Sequence, residues 1–113
     1  GTPMNELLKD MGRRIYDRRK QLHMTQDTLA ELANITPQTV STAELGQKAM
    51  RPETIIGICS ALDISTDFLL RGIITAEDKG CLVHKISVLT PSQYQHLEDI
   101  INSYIAALKE SEA

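Results

Sequence analysis

The stretch Met24-Thr25-Gln26-Asp27-Thr28-Leu29-Ala30-Glu31-Leu32-Ala33-Asn34-Ile35-Thr36-Pro37-Gln38-Thr39-Val40-Ser41-Thr42-Ala43-Glu44-Leu45-Gly46 holds two helix starts close together. Thr25 stands in an N-cap position ahead of Leu29, Leu32 and Ala33, whose three- and four-residue spacing predicts a short helix 2. Asn34 occupies the turn, where a left-handed backbone is needed and Asn tolerates it better than most residues. Thr36 is a second N-cap, and Pro37 follows at the first helical position, where its missing N–H costs nothing. Helix 3 then turns Val40 and Ala43 one way and Gln38, Ser41 and Thr42 the other, and Gly46 closes it as the C′ residue. Two helices this short are not stable alone.

A pair of short helices with small polar side chains on the outer face of the second suits a reader of duplex DNA. A helix fits the major groove, where short amide and hydroxyl groups meet base edges.

The rest of the chain has to bury these helices. Its 113 residues make one compact domain, or a small domain with an appendage. Hydrophobic residues make up 42%, enough for a core, but one Phe, three Tyr and no Trp mean that the packing is aliphatic. Cys59 and Cys81 lack the spacing of a disulfide framework. Neither a signal peptide nor an apolar run of membrane length is present, which points to a reducing, cytoplasmic setting without a membrane partner. Gly1-Thr2-Pro3 ahead of Met4 reads as a cloning remnant, outside the fold.

The net charge of −3 is unevenly spread. Residues 1–72 hold nine Lys/Arg and nine Asp/Glu, whereas residues 73–113 hold three and six, so all net acidity lies in the C-terminal third. The neutral part is polarised, with Arg13, Arg14, Arg18, Arg19 and Lys20 around Asp17. Beside a helix-turn-helix, part of this cluster is expected to meet phosphates, an attraction that is strong at low salt.

Periodicity predicts helices throughout. Helix 1 runs from about Asn5 to Leu22 and buries Leu8, Met11, Ile15 and Leu22. A loop from Gly46 to Arg51 leads to helix 4, whose nearly continuous Ile55, Ile56, Ile58, Cys59 and Leu62 place it at the centre of the core. Ser65 caps helix 5, Thr66 to Leu70, which ends at Gly72. The result is a five-helix unit with short connections.

From Ile15 to Leu70 the chain resembles the lambda-repressor/Cro family of helix-turn-helix domains, also called the xenobiotic-response-element family. The resemblance rests on Arg19-Lys20, Met24-Thr25-Gln26, Leu29-Ala30, Ile35-Thr36, Thr39-Val40-Ser41, Glu44-Leu45-Gly46, Ala61-Leu62-Asp63-Ile64-Ser65 and Phe68-Leu69-Leu70, in the right order and spacing. It implies a five-helix DNA-binding domain over residues 4–72 of an all-α chain, and periodicity makes residues 73–113 a C-terminal helical extension. It also implies roles. Gln26 fastens helix 2 to a phosphate, and Thr36, Pro37, Gln38, Ser41 and Thr42 face the bases. Lys48 and Arg51 serve the backbone-facing loop. Arg19 and Glu44 form a structural ion pair that fixes the recognition helix, which removes Arg19 from the phosphate contacts. Gln38 is the best base reader, since its amide pairs bidentately with adenine N6 and N7, while Thr42 suits a thymine methyl or an acceptor. The chain departs from the family at Pro37, Leu45 and Met50. Pro37 removes one possible base contact.

The C-terminal third lies outside the resemblance. Leu82, Val83, Ile86 and Leu89 have helical spacing. Thr90 and Pro91 then cap and open a helix running to about Glu110. Tyr94, Leu97, Ile101, Tyr104 and Leu108 form a heptad stripe along it, widened by Ile100 and Ile105. Such a stripe either packs on its own five-helix unit or forms a two-fold dimer seam. The dimer is preferred, because a small domain reading one half-site gains affinity from a symmetric partner.

No catalytic, metal or cofactor site is expected. Cys81 and His84 lack the second pair of a tetrahedral zinc site, His23 and His96 stand alone, and no nucleophile, base and orienting group can be assembled. The expected function is a sequence-specific transcriptional regulator, a repressor that binds a two-fold operator in double-stranded DNA as a homodimer through helix 36–45. The alternative is an antitoxin or interaction module of the same fold, which would bind a toxin or other protein through its C-terminal helix.

Overall fold

The computed structural model describes residues 3–112. Gly1 and Thr2 of the expected remnant lie outside the described residues, as does Ala113. Seven helices and no strand occur among the described residues: α1 (Pro3–Gln21), α2 (Gln26–Ala33), α3 (Pro37–Glu44), α4 (Pro52–Leu62), α5 (Thr66–Arg71), α6 (Ala76–Ser87) and α7 (Pro91–Glu112). None of them is long and apolar enough to cross a membrane. The described residues are all-α, with the five helices expected of a lambda-repressor-like domain followed by two more.

Side-chain caps start the short helices. The Thr25 hydroxyl accepts from Thr28 N at 3.0 Å, that of Thr36 from Thr39 N at 3.1 Å, and that of Ser65 from Phe68 N at 3.0 Å. Left-handed residues end them. His23, Asn34, Gly46, Asp63 and Gly72, with φ of 57°, 58°, 66°, 55° and 71°, follow α1 to α5 in turn. After α3, Gly46 N donates to Ala43 O at 3.1 Å and Gln47 N to Thr42 O at 3.2 Å, the paired bonds of a Schellman turn. Asn34 and Gly46 were expected in this role. His23 and Asp63 carry no comparable mark in the sequence.

Met11 and Ile15 of α1, Leu29, Ala30 and Ala33 of α2, Val40 and Ala43 of α3, Ile58, Cys59 and Leu62 of α4 and Leu69 of α5 form one buried core. Leu8 and Leu22 are only half-buried. Two expected core residues face out: Leu32 is 58% exposed and Ile56 61%. Each lies roughly a third of a turn around its helix from the buried stripe, and one short helix offers the core only one face. Gly12 lets α1 approach α3, since a Cβ there would overlap the backbone carbonyl oxygens of Ala43 and Glu44.

Packing divides the chain after Asp78, six residues beyond Gly72, where the five-helix unit was expected to end. The Asp78 carboxylate holds the extra residues. Its Oδ2 accepts from Thr75 N at 2.8 Å, Thr75 Oγ1 at 2.9 Å and Ser65 Oγ at 2.9 Å, and its Oδ1 accepts from Ser65 N at 3.3 Å. Thr75 Oγ1 in turn accepts from Asp78 N at 3.2 Å, so a reciprocal cap starts α6 and is tied to the start of α5. The Thr75 backbone N–H and the hydroxyls of Thr75 and Ser65 hold this carboxyl below the usual carboxylate range.

In the second unit, Thr90 and Gln93 cap α7 reciprocally, through Gln93 N to Thr90 Oγ1 at 3.2 Å and Thr90 N to Gln93 Oε1 at 3.0 Å. No residue of α6 or α7 is buried.

Candidate nucleic-acid interface

Val40 and Ala43 anchor α3 in the core, fully buried and 4% exposed. The opposite face carries Pro37 and Gln38, both exposed, and Ser41 and Thr42, both half-buried. The hydroxyls of Thr36 and Thr39 lie 2.8 Å apart, and Thr36 also caps the helix, so both are engaged within the first turn. Gln38 Nε2 donates to Thr42 Oγ1 at 3.3 Å, one turn along the helix.

The expected residues fall into two hollows. A groove of about 550 Å³ brings Thr36, Gln38 and Thr42 of α3 together with Lys48 and Arg51 of the following loop; Met50 and Thr54 also line it. Ser41 opens instead onto a hollow of about 400 Å³ with Gln26, Arg13, Tyr16, Glu44 and Leu45. Pro37 lines neither. Lys48 and Arg51 are exposed, and Arg51 lies 3.9 Å from Glu53 in a solvent-exposed pair.

Behind this face sits a closed polar network. Arg19 Nε donates to Glu44 Oε2 at 2.7 Å and Nη2 to Oε1 at 3.1 Å, a two-pronged pair whose side chains are 8% and 5% exposed. Arg19 Nη1 donates to Met24 O at 2.9 Å, and Gln26 Nε2 donates to Glu44 Oε1 at 3.0 Å. The carboxylate thus joins α1, the start of α2 and the end of α3. The Glu44 hydrogen bond raises the pKa of Arg19 further, keeping the buried charge in place. Gln26 has one amide N–H committed to this network, leaving its carbonyl and second N–H for another partner.

The basic cluster of α1 divides in a way its composition does not reveal. Arg14 Nη1 donates to Leu69 O and Arg18 Nε to Leu62 O, both at 2.9 Å, so these two cations satisfy the carbonyl ends of α5 and α4. With Arg19 paired to Glu44, three of the five cations serve the fold. Arg13 and Lys20 stay exposed, Arg13 beside Asp10 at 3.3 Å and the Lys20 ammonium 6.0 Å from the Tyr16 ring centre.

The profile of the family described as Helix-turn-helix matches residues 15–69. The chain belongs to this family. The matched residues form a helix-turn-helix domain of the lambda-repressor/Cro type, and similar proteins agree. An uncharacterized HTH-type transcriptional regulator of Bacillus subtilis (strain 168), YqaE, is 39% identical over 54 residues, 48% of this chain. The chain spans about half the length of that regulator, 47%. Among solved structures, the P22 c2 repressor in complex with a synthetic operator is 32% identical, with a TM-score of 0.54 over 56% of this chain and 96% of the repressor chain. The restriction-modification controller protein C.AhdI from Aeromonas hydrophila is 31% identical, with a TM-score of 0.53 over 55% of this chain and 94% of its own.

Proposed function

We propose that this chain is a sequence-specific transcriptional regulator acting in the cytoplasm, a repressor that binds a two-fold operator as a homodimer and has no catalytic activity of its own. The observation that carries the reading is the groove in which Thr36, Gln38 and Thr42 meet Lys48 and Arg51. Helix α3 enters the major groove with Gln38 and Ser41 toward base edges and Pro37 packing against the duplex, while Lys48 and Arg51 neutralise phosphates beside it. Gln26 reaches a phosphate with the amide hydrogen that Glu44 leaves over. The operator-bound P22 c2 repressor supports the choice of repression.

The homodimer is supported by the second unit. Tyr94, Ile101, Tyr104 and Leu108 are all at least 43% exposed, and Leu97 is half-buried. A stripe of this size is stable in water only when covered, and a second α7 has the matching heptad. The same stripe favours the second reading, an antitoxin-like module that covers it with a different protein.

Selection of bound sites from random duplexes by the full chain tests both readings together. The expected result is a palindromic motif whose half-sites lie about 10 base pairs apart, centre to centre. Ile101→Asp is expected to convert the dimer to a monomer in sedimentation and to abolish the palindrome while the chain stays folded. A monomeric parent chain with no sequence preference overturns the regulator reading and favours the module.

A further inference from the structure

We infer that Thr42 is a positioning residue for Gln38, presetting its amide for adenine rather than reading a base itself. This inference rests on the proposed readout by α3 and deepens it.

The geometry is that of a preset amide. Gln38 and Thr42 are four residues apart and share one helix face, so Nε2 reaches Thr42 Oγ1 at 3.3 Å without leaving the surface of α3. A carboxamide nitrogen carries two hydrogens. One lies on the side of the carbon chain, and the other lies beside Oε1. The inferred bond uses the first, since Thr42 Oγ1 belongs to the helix from which the Gln38 side chain springs. The second hydrogen and Oε1 then form an outward edge, one donor next to one acceptor. Adenine presents the complement in the major groove, an N7 acceptor beside an N6 donor, whereas guanine presents two acceptors. A flexible side chain loses rotamer freedom when it pairs with a base, and a bond already made in the free protein reduces that loss.

The neighbouring hydroxyls leave this assignment to Thr42. Those of Thr36 and Thr39 are bonded to each other, and that of Thr36 also caps the helix, whereas the bond from Gln38 goes to Thr42. Thr42 is half-buried against the groove wall, whereas Gln38 is exposed. The residue nearer the core steadies the one that projects.

Site selection from random duplexes with four full-length variants tests the inference. Gln38→Ala should remove the adenine preference at one position of each half-site. Thr42→Val, which keeps the shape and removes the oxygen, should weaken that same preference about two- to tenfold, the range of a single hydrogen bond. Thr42→Ser should restore it. Once Gln38 is Ala, adding Thr42→Val should change nothing more, because the two residues act as one unit. If Thr42→Val instead alters a different base pair, and does so in the Gln38→Ala background as well, Thr42 reads its own base and the positioning role is overturned. If Gln38→Ala leaves every position unchanged, the readout by Gln38 fails first, an outcome distinct from failure at Thr42 alone.

Discussion

The two units of this chain follow the same local rules and reach opposite ends. In both, threonines cap helices reciprocally or singly, prolines open them, and apolar residues recur at helical spacing. Yet every buried hydrophobic residue among those described lies in the first unit, while Leu82, Val83, Val88, Tyr94, Ile100, Ile101, Tyr104, Ile105 and Leu108 of the second are all exposed. Caps and periodicity make helices; they do not say what will cover them. The first unit closes because its helices supply one another with partners: Gly12 admits the α3 backbone, and Arg14, Arg18 and Arg19 turn inward to carbonyls and a carboxylate.

The contrast can be broken most severely at Glu44. Glu44→Gln leaves the Arg19 guanidinium buried without its counter-charge and should lower the stability of the first unit by about 3 kcal/mol, read from urea unfolding at neutral pH. An unchanged midpoint would mean that the pair is ornamental. A paired substitution sharpens the difference between the units. Gly12→Ala should destabilise by about 1–3 kcal/mol, because the added carbon has to displace the α3 backbone. Gly80→Ala in α6 meets nothing within 4 Å and should instead stabilise by about 0.5–1 kcal/mol through helix propensity alone. Thermal melts of the two variants should therefore move in opposite directions.

The smallest effect concerns Asp78. Its folded pKa is depressed, so the stability it contributes is fully present above the pKa of an unfolded Asp, about 3.9, and is lost as pH falls through the lower folded value. Carboxyl resonances followed by NMR should show Asp78 titrating below the ordinary Asp value, with the Ser65 and Thr75 amides shifting at the same midpoint. A midpoint at the ordinary value for Asp would remove the link between the starts of α5 and α6.

Much of the recognition unit was legible because its signals are local. Thr25, Asn34, Thr36, Pro37 and Gly46 each act on their own turn of backbone, and each stands where its chemistry predicts. The pairing of Arg19 with Glu44 followed from family resemblance rather than from spacing, since 25 residues separate them. Other features were hidden. His23 and Asp63 adopt left-handed turns with no glycine or asparagine to mark them. Leu32 and Ile56 satisfy the apolar pattern but miss the single face each helix buries. The basic cluster of α1 looked like one charged surface, although most of it is bonded inside the fold.

By itself the sequence determined where helices begin and end, the outward face of α3 and the stripe along α7, because caps and periodicity act over one or two turns. Only the tertiary structure decided which cations remain exposed, that Gln26 shares the Glu44 carboxylate, and that the first unit runs on to Asp78. Those outcomes depend on groups distant in sequence arriving within hydrogen-bond reach, and no local pattern encodes that distance.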